Sequence, residues 1–279
     1  MELLHPSDVQ ELDGGVFVHG GTEVVPLLRD GIISTDTLVD VREVVPRGID
    51  GTRIGAGTSL GELEEDPQIP EALREACRLA ASPQLRNMGS IGGNLCFADP
   101  HSDPATFLLA MDAALEARRG GGRPREIPLA ELVSGPYVNT LEAGELLTTV
   151  LVPRLEPGAA IVHRKFILHE RPAVTVACHL RLDGEGLRNV RLAVGSAGVM
   201  VARAPAAEEI LEGATAPELH DELERVGGLV ADAAKPVKDS NGSVEYKRHL
   251  VAVLTLRAVL AAVEEARGEG HELLAPGES

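Results

Sequence analysis

The sequence predicts an α+β protein. Its first half alternates short β-rich runs with short helical runs, and its second half places long β-rich runs before three helical segments. A third observation is the string between residues 81 and 111, which contains glycine, serine and asparagine at a density that a packed core does not explain. The chain is therefore expected to combine a mixed scaffold with one glycine-rich binding site.

Composition limits the class of protein. The chain has 279 residues and 29.4 kDa, enough for one large domain or two modest ones, and its formal net charge is −17. Nucleic acid is not an expected partner, because binding its phosphates requires a basic surface. No apolar run is long enough to span a membrane, and the N-terminus lacks the basic and apolar regions of a signal peptide. We therefore expect a cytoplasmic protein without a membrane span.

The first glycine-rich turn follows a short strand. The stretch GGVFVHGGTEVVPLLRDG predicts a strand over Val16–Val18, a glycine turn, and a short helix from Glu23 to Arg29 that ends at Gly31. A phosphate could bind at the N-terminus of that helix. Strand–glycine–helix turns are common in proteins that contain both elements, so this turn alone is a weak indication.

The second glycine-rich string lies between two predicted helices. A helix begins at Pro70 and stops before Ser82-Pro83, and a second helix over 104–111 has Asp103 as its N-cap. The residues between them are expected to form a loop, which presents Gly89, Ser90, Gly92, Gly93 and Asn94 in six positions. Glycines permit positive φ and close approach to a ligand, so the loop could hold a pyrophosphate. The alternative from the glycines alone is a tight turn or bulge.

The longer string ASPQLRNMGSIGGNLCFADPHSDP resembles the second flavin-binding motif of the FAD-binding subunit of the molybdenum hydroxylases, the xanthine oxidase and carbon monoxide dehydrogenase family. The first turn is similar to that family's A-G-G-T-D-L-L motif, with His19 and Glu23 as departures. Here the first turn and the string are called motif 1 and motif 2. The segment GAGTSLGEL, from Gly55, is similar to the family's I-G-A-x-T-x-h-x-x-L and would begin a second lobe.

The resemblance implies a vanillyl-alcohol-oxidase-like (PCMH-type) FAD-binding domain over residues 1–160, with lobes of about 1–50 and 51–160, followed by a C-terminal α+β domain over 161–279. It also implies the residues that contact FAD. Leu147 would lie along the flavin ring and Lys165 would be a cation near it, while Asp103 would contact the cofactor as well as cap its helix. The full set is Phe17, Val18, His19, Gly20, Gly21, Thr22, Glu23, Val24, Gly89, Ser90, Ile91, Gly92, Gly93, Asn94, Asp103, Leu147 and Lys165.

The remaining segments are predicted to form strands and helices that have a structural role. Strands are predicted in AAIVHRKFIL, AVTVACHLRL and NVRLAVGSAG, and helices in PAAEEILEG, PELHDELERVGGLVADAA and the long segment that Ser243 would cap. The tail HELLAPGES is expected to fray.

Three widely spaced cysteines suggest neither a disulfide framework nor an iron–sulfur cluster, and only Cys96, beside motif 2, has a functional alternative.

The resemblance implies an electron-transfer subunit of a molybdenum hydroxylase complex. Its partners would be an iron–sulfur subunit and a molybdenum-cofactor subunit, and its acceptor would be NAD, oxygen or another molecule. Substrate oxidation would then take place on another chain. Two alternatives remain: a self-contained FAD-dependent oxidoreductase, and a non-catalytic interaction subunit that has lost its FAD.

Overall fold

The computed structural model describes residues 1–8, 12, 14–169 and 171–268, so the predicted fraying of HELLAPGES lies outside the described residues. The chain divides into two compact units. The first unit comprises Met1–Leu108 and Asp112–Pro153, and the second comprises Leu109–Met111 and the chain from Arg154 onward.

The first unit contains short strands and short helices. The helices are α1 (Val24–Arg29), α2 (Leu60–Glu65), α3 (Glu71–Leu79), α4 (Pro83–Met88), α5 (Ile91–Phe97), α6 (Asp103–Ala110) and α7 (Leu129–Leu132). The strands are β1 (Glu2–Leu4), β2 (Val16–Val18), β3 (Thr37–Asp40), β4 (Ile49–Asp50), β5 (Arg53–Gly55), β6 (Ala114–Arg119), β7 (Arg125–Pro128), β8 (Val133–Gly135), β9 (Val138–Asn139) and β10 (Glu145–Leu151). The predicted strand of motif 1 and the predicted helix after Pro70 are confirmed by β2 and α3.

The larger sheets of this unit differ in type. Strands β1, β3 and β2 form a parallel sheet, and β4, β5, β10, β6 and β7 form an antiparallel sheet in that order. The first six residues of the central strand β10 are buried, since α5 packs against it and strands flank it on both sides. The antiparallel sheet therefore supports motif 2 through α5.

Motif 2 was expected to be a loop, and that prediction is wrong. Residues 82–97 form α4 and α5, separated by Gly89 and Ser90. Ser82 caps α4 with Pro83 in its first turn, and Ser90 caps α5 by accepting the N–H of Gly93. The short serine side chains thus begin two helices where we expected open backbone.

The second unit is an antiparallel sheet covered by helices. Its strands are β11 (Ala159–Ile167), β12 (Pro172–Asp183), β13 (Gly186–Gly195) and β14 (Ala202–Arg203), paired in that order, and its helices are α8 (Pro205–Leu211), α9 (Ala216–Ala234) and α10 (Val244–Ala266). Alternate residues of β12, such as Val174 and Val176, join Val251 of α10 in one apolar core. Ser243 caps α10 as predicted, since its Oγ accepts the N–H of Tyr246. The predicted α+β class is confirmed.

Candidate cofactor-binding site

Motif 1 is a tight turn that presents backbone donors. The chain leaves β2 at Val18, passes through Gly21 at φ +67°, and enters α1 at Val24. Among the hydrogen bonds of the described residues, none uses the backbone N–H of Gly20, Gly21 or Thr22 as donor, whereas the Gly21 carbonyl accepts from Val25 at 3.2 Å. Successive N–H groups in a turn favour an anion, so motif 1 could bind a phosphate.

Motif 2 uses most of its backbone donors within the protein. The N–H groups of Ile91 and Gly92 donate to the carbonyls of Thr58 and Ala56 at 2.9 and 2.8 Å. Those of Gly93 and Asn94 donate to Ser90, at 3.2 Å to its Oγ and 2.9 Å to its carbonyl. None of the motif 2 glycines takes the positive φ that glycine permits. Within motif 2, α5 is therefore a capped helix packed on residues 56–58.

The two motifs lie against each other. A Cβ placed on Gly20 would overlap the carbonyl group of Met88, and a Cβ placed on Gly89 would lie 3.5 Å from Oγ1 of Thr22. Gly20 is therefore required for the close packing of the turn on the end of α4. The fold brings together the predicted site residues of both motifs.

The buried ion pair between Arg86 and Glu64 positions the end of α4. Arg86, only 8% exposed, donates from Nε to Glu64 at 2.7 Å and from a terminal nitrogen to the Ala81 carbonyl at 2.9 Å. Since Glu64 lies on α2, the pair holds α4 on α2. Sequence reasoning did not assign a role to this arginine of motif 2.

The prediction that Asp103 caps α6 is wrong. Ser102 occupies the capping position: its Oγ accepts the Ala105 N–H at 3.0 Å and donates to Oδ1 of Asn94 at 2.6 Å. Asp103 is the first residue of the helix and is 2% exposed. Serine favours an N-cap as aspartate does, and the helix begins one residue earlier than predicted. Capping does not explain the carboxylate of Asp103.

Leu147 and Lys165 lie on strands of different units. Leu147, on β10, is 3% exposed and pairs with Ala117 of β6, next to a bulge before Thr149. Lys165, on β11 in the second unit, is half-buried and pairs with Thr175. Their contact with a flavin stays a prediction.

His19, in motif 1, lies in surroundings that favour its neutral form. Burial lowers the pKa of His19, and the charges of Arg47 and Arg42 lower it further. Both ring nitrogens are inaccessible to solvent, with no hydrogen-bond partner among the described residues. A Cβ on Gly57 would lie 3.0 Å from Nε2 of His19 and 3.0 Å from Cγ of Arg47. Arg47 and Gly57 were not predicted as site residues, although Gly57 lies in the family-like GAGTS string.

The cysteines and helices suggest no further type of site. Burial raises the pKa of the Cys96 thiol to about 12, so it is protonated at neutral pH. Within the described ranges no group of three or more His, Cys, Asp or Glu could hold a metal ion. The described helices include none with the length and apolar character needed to cross a membrane.

Comparison with known proteins defines the class. Residues 8–155 match the family described as the FAD binding domain in molybdopterin dehydrogenase, and residues 163–262 match the CO dehydrogenase flavoprotein C-terminal domain. The first match covers more than half of the chain, so the chain belongs to this family of FAD-binding subunits. The resemblance of motifs 1 and 2 is thereby confirmed.

The relatives agree along most of the chain. The putative xanthine dehydrogenase FAD-binding subunit of Escherichia coli is 31% identical over 90% of this chain and 89% of that protein. The glyceraldehyde dehydrogenase medium chain of Sulfolobus acidocaldarius is 28% identical over 86% of this chain and 87% of that protein. Among solved structures, reconstituted CO dehydrogenase from Oligotropha carboxidovorans matches with a TM-score of 0.85 and 25% identity, covering 94% of this chain and 97% of that one. The chain is thus an FAD-dependent oxidoreductase subunit with the fold of the medium chains.

Proposed function

We propose that this chain transfers electrons within a molybdenum hydroxylase complex in the cytoplasm. It would receive them from an iron–sulfur partner subunit and pass them to NAD, oxygen or another acceptor, while a molybdenum-containing partner oxidises the substrate. The relatives named as medium chains support a multi-subunit setting. FAD supplies the required chemistry, since a flavin exchanges electrons singly or as a pair.

The observation that carries the cofactor site is the unused donor set of motif 1. Three successive N–H groups, from Gly20 to Thr22, have no acceptor among the described residues, and Gly20 packs directly on the end of α4. We infer that these donors hold the FAD phosphates, with the end of α4 supporting the turn at Gly20. The rest of the predicted set, including Asp103, Leu147 and Lys165, is part of the same proposal, as are the domain bounds of 1–160, with its two lobes, and 161–279.

The purified chain is expected to contain FAD that is bound noncovalently, because backbone donors require no covalent attachment. Acid precipitation should leave a yellow supernatant and a colourless pellet. Flavin in the pellet would contradict noncovalent binding. A colourless protein that fails to take up added FAD would support the interaction subunit instead. Turnover of an organic substrate by the isolated chain would favour a self-contained oxidoreductase.

Asp103→Asn is expected to weaken FAD binding without unfolding the protein. Ser102, rather than Asp103, caps α6, so the helix keeps its cap, while loss of a charge-assisted hydrogen bond to the cofactor would cost about 1–3 kcal/mol of binding free energy. Ser102→Ala provides the contrast, since losing a cap costs roughly 0.5–2 kcal/mol of stability. Thermal unfolding of the apo-protein and FAD titration of both variants check this. Unchanged FAD affinity in Asp103→Asn would remove Asp103 from the site.

A further inference from the structure

Arg47 lies next to motif 1, on the segment between β3 and β4. Its Cγ and the Nε2 of His19 each lie 3.0 Å from the point where a Cβ of Gly57 would stand. The missing side chain at Gly57 therefore leaves room for both the stem of Arg47 and the imidazole of His19. Arg47 also lines a cleft of about 520 Å³ between the 44–50 segment and the antiparallel sheet. The link to the turn is His19, which directly precedes Gly20, the first residue with an unused N–H donor.

The charges around the turn single out Arg47. Burial and the neighbouring arginines lower the pKa of His19 and so favour its neutral form. Arg42 is held by the carboxylate of Asp40, with nitrogen–oxygen distances of 2.9 and 2.5 Å, so its charge is largely compensated. Arg47 has a looser partner: it bonds Glu62 at 2.9 Å while its side chain is 59% exposed. An exposed ion pair of this kind is weak.

The capping box of α2 holds the Glu62 side chain in position without Arg47. Its second carboxylate oxygen accepts the Ser59 N–H at 2.8 Å, and the Ser59 Oγ accepts the Glu62 N–H in return, which forms the capping box of α2. Arg47 can therefore exchange this carboxylate for a phosphate without disturbing α2. A pyrophosphate carries negative charge, and neutral N–H donors do not compensate it in a chain of net charge −17.

We propose that Arg47 binds the pyrophosphate of FAD and supplies the positive charge that the turn of motif 1 lacks. This inference rests on the proposed function, because it assumes that FAD phosphates lie at Gly20–Thr22. Arginine suits the role, since its planar guanidinium donates two parallel hydrogen bonds to phosphate oxygens.

The test titrates FAD into the full-length apo-protein and into three variants. Arg47→Met should weaken FAD binding by roughly tenfold to a hundredfold and make the affinity less dependent on salt, because one charge-assisted contact is lost. Arg53→Met is the matched control: Arg53 lines the same cleft but bonds Glu116 at 2.5 Å, and its loss should change the affinity less than twofold. Glu62→Gln keeps the capping box and frees Arg47, so FAD should bind at least as tightly as in the wild type.

The outcomes separate this inference from the proposed function. If wild-type protein binds FAD and Arg47→Met binds it as Arg53→Met does, Arg47 has no role in binding and the inference fails alone. If the wild type does not bind FAD, both fail. The apo-forms of the variants should melt at the same temperature as the wild type. If Arg47→Met binds FAD weakly only because it is less stable, the role of Arg47 is structural and the phosphate contact is contradicted. The last measurement is NADH titration of the FAD-loaded proteins. If Arg47→Met changes the affinity for NADH while its FAD affinity is unchanged, Arg47 contacts the electron acceptor instead.

Discussion

Gly92→Val is expected to destabilise the first unit strongly, whereas Gly93→Val is expected to leave its stability nearly unchanged. A Cβ on Gly92 would lie 2.6 Å from the Cβ of Ala56 and 2.8 Å from its carbonyl oxygen, and that carbonyl accepts the Gly92 N–H. Ala56 has no flexible side chain that could move aside, so overpacking and the lost hydrogen bond together should cost about 3 kcal/mol or more. Gly93 is exposed, and its added Cβ would meet only Ser90 Oγ, at 3.1 Å. The unfolding free energy of the Gly93→Val variant should therefore differ from that of the wild type by less than about 1 kcal/mol.

Urea unfolding of the two apo-variants checks this, with Gly92→Ala as a third member that adds only the Cβ. Gly92→Ala should lose most of the stability that Gly92→Val loses, because the first carbon already makes the contact. Equal stability of the Gly92 and Gly93 valine variants would show that α5 does not pack on residues 56–58 as described. FAD affinity of the folded Gly93 variant then tests whether motif 2 also borders the cofactor.

The sequence predicted these glycines as one functional group, and the structure separates them. Local composition gave no reason to expect a helix at 91–97, because two glycines and an asparagine lower helix propensity. The helix forms because Ser90 caps it and because its first N–H groups find acceptors on Ala56 and Thr58, which are far away in the chain. A partner of this kind is a tertiary contact, which periodicity cannot reveal.

The difference between a local sequence pattern and a tertiary contact also explains which other elements and residues were predicted and which were not. The helices of the second unit follow from an apolar face at helical spacing, and the strand of motif 1 follows from a short β-rich run before a glycine turn. The strand β1 was missed because its residues Glu2–Leu4 are exposed and pair with β3 only through backbone. Arg47 was missed because its relevance depends on Gly57, where the lack of a side chain leaves room for both Arg47 and His19. Residues with a motif of their own were predictable, and those recruited by contact were not.

A large effect of pH on stability is expected from His163. This residue is 7% exposed on β11, and burial lowers its pKa to about 3, with further lowering by the charges of Lys165 and Arg164. An unfolded histidine has a pKa of about 6.5, so between these two values the unfolded chain holds a proton that the native protein does not. Stability should therefore be full above about pH 6.5 and should fall as the pH drops, because protons favour the state that binds more of them.

The expected slope is about 1.4 kcal/mol of unfolding free energy per pH unit from His163 alone, which amounts to about 4 to 5 kcal/mol by pH 3. Urea unfolding of the full chain at several values between pH 4.5 and 7 measures it. His163→Gln supplies the comparison, since glutamine does not titrate; its unfolding free energy should fall less steeply with pH than that of the wild type by this amount, whatever its stability at pH 7. Parallel curves for the two proteins would mean that His163 binds protons equally in the native and unfolded states, and so that burial does not lower its pKa.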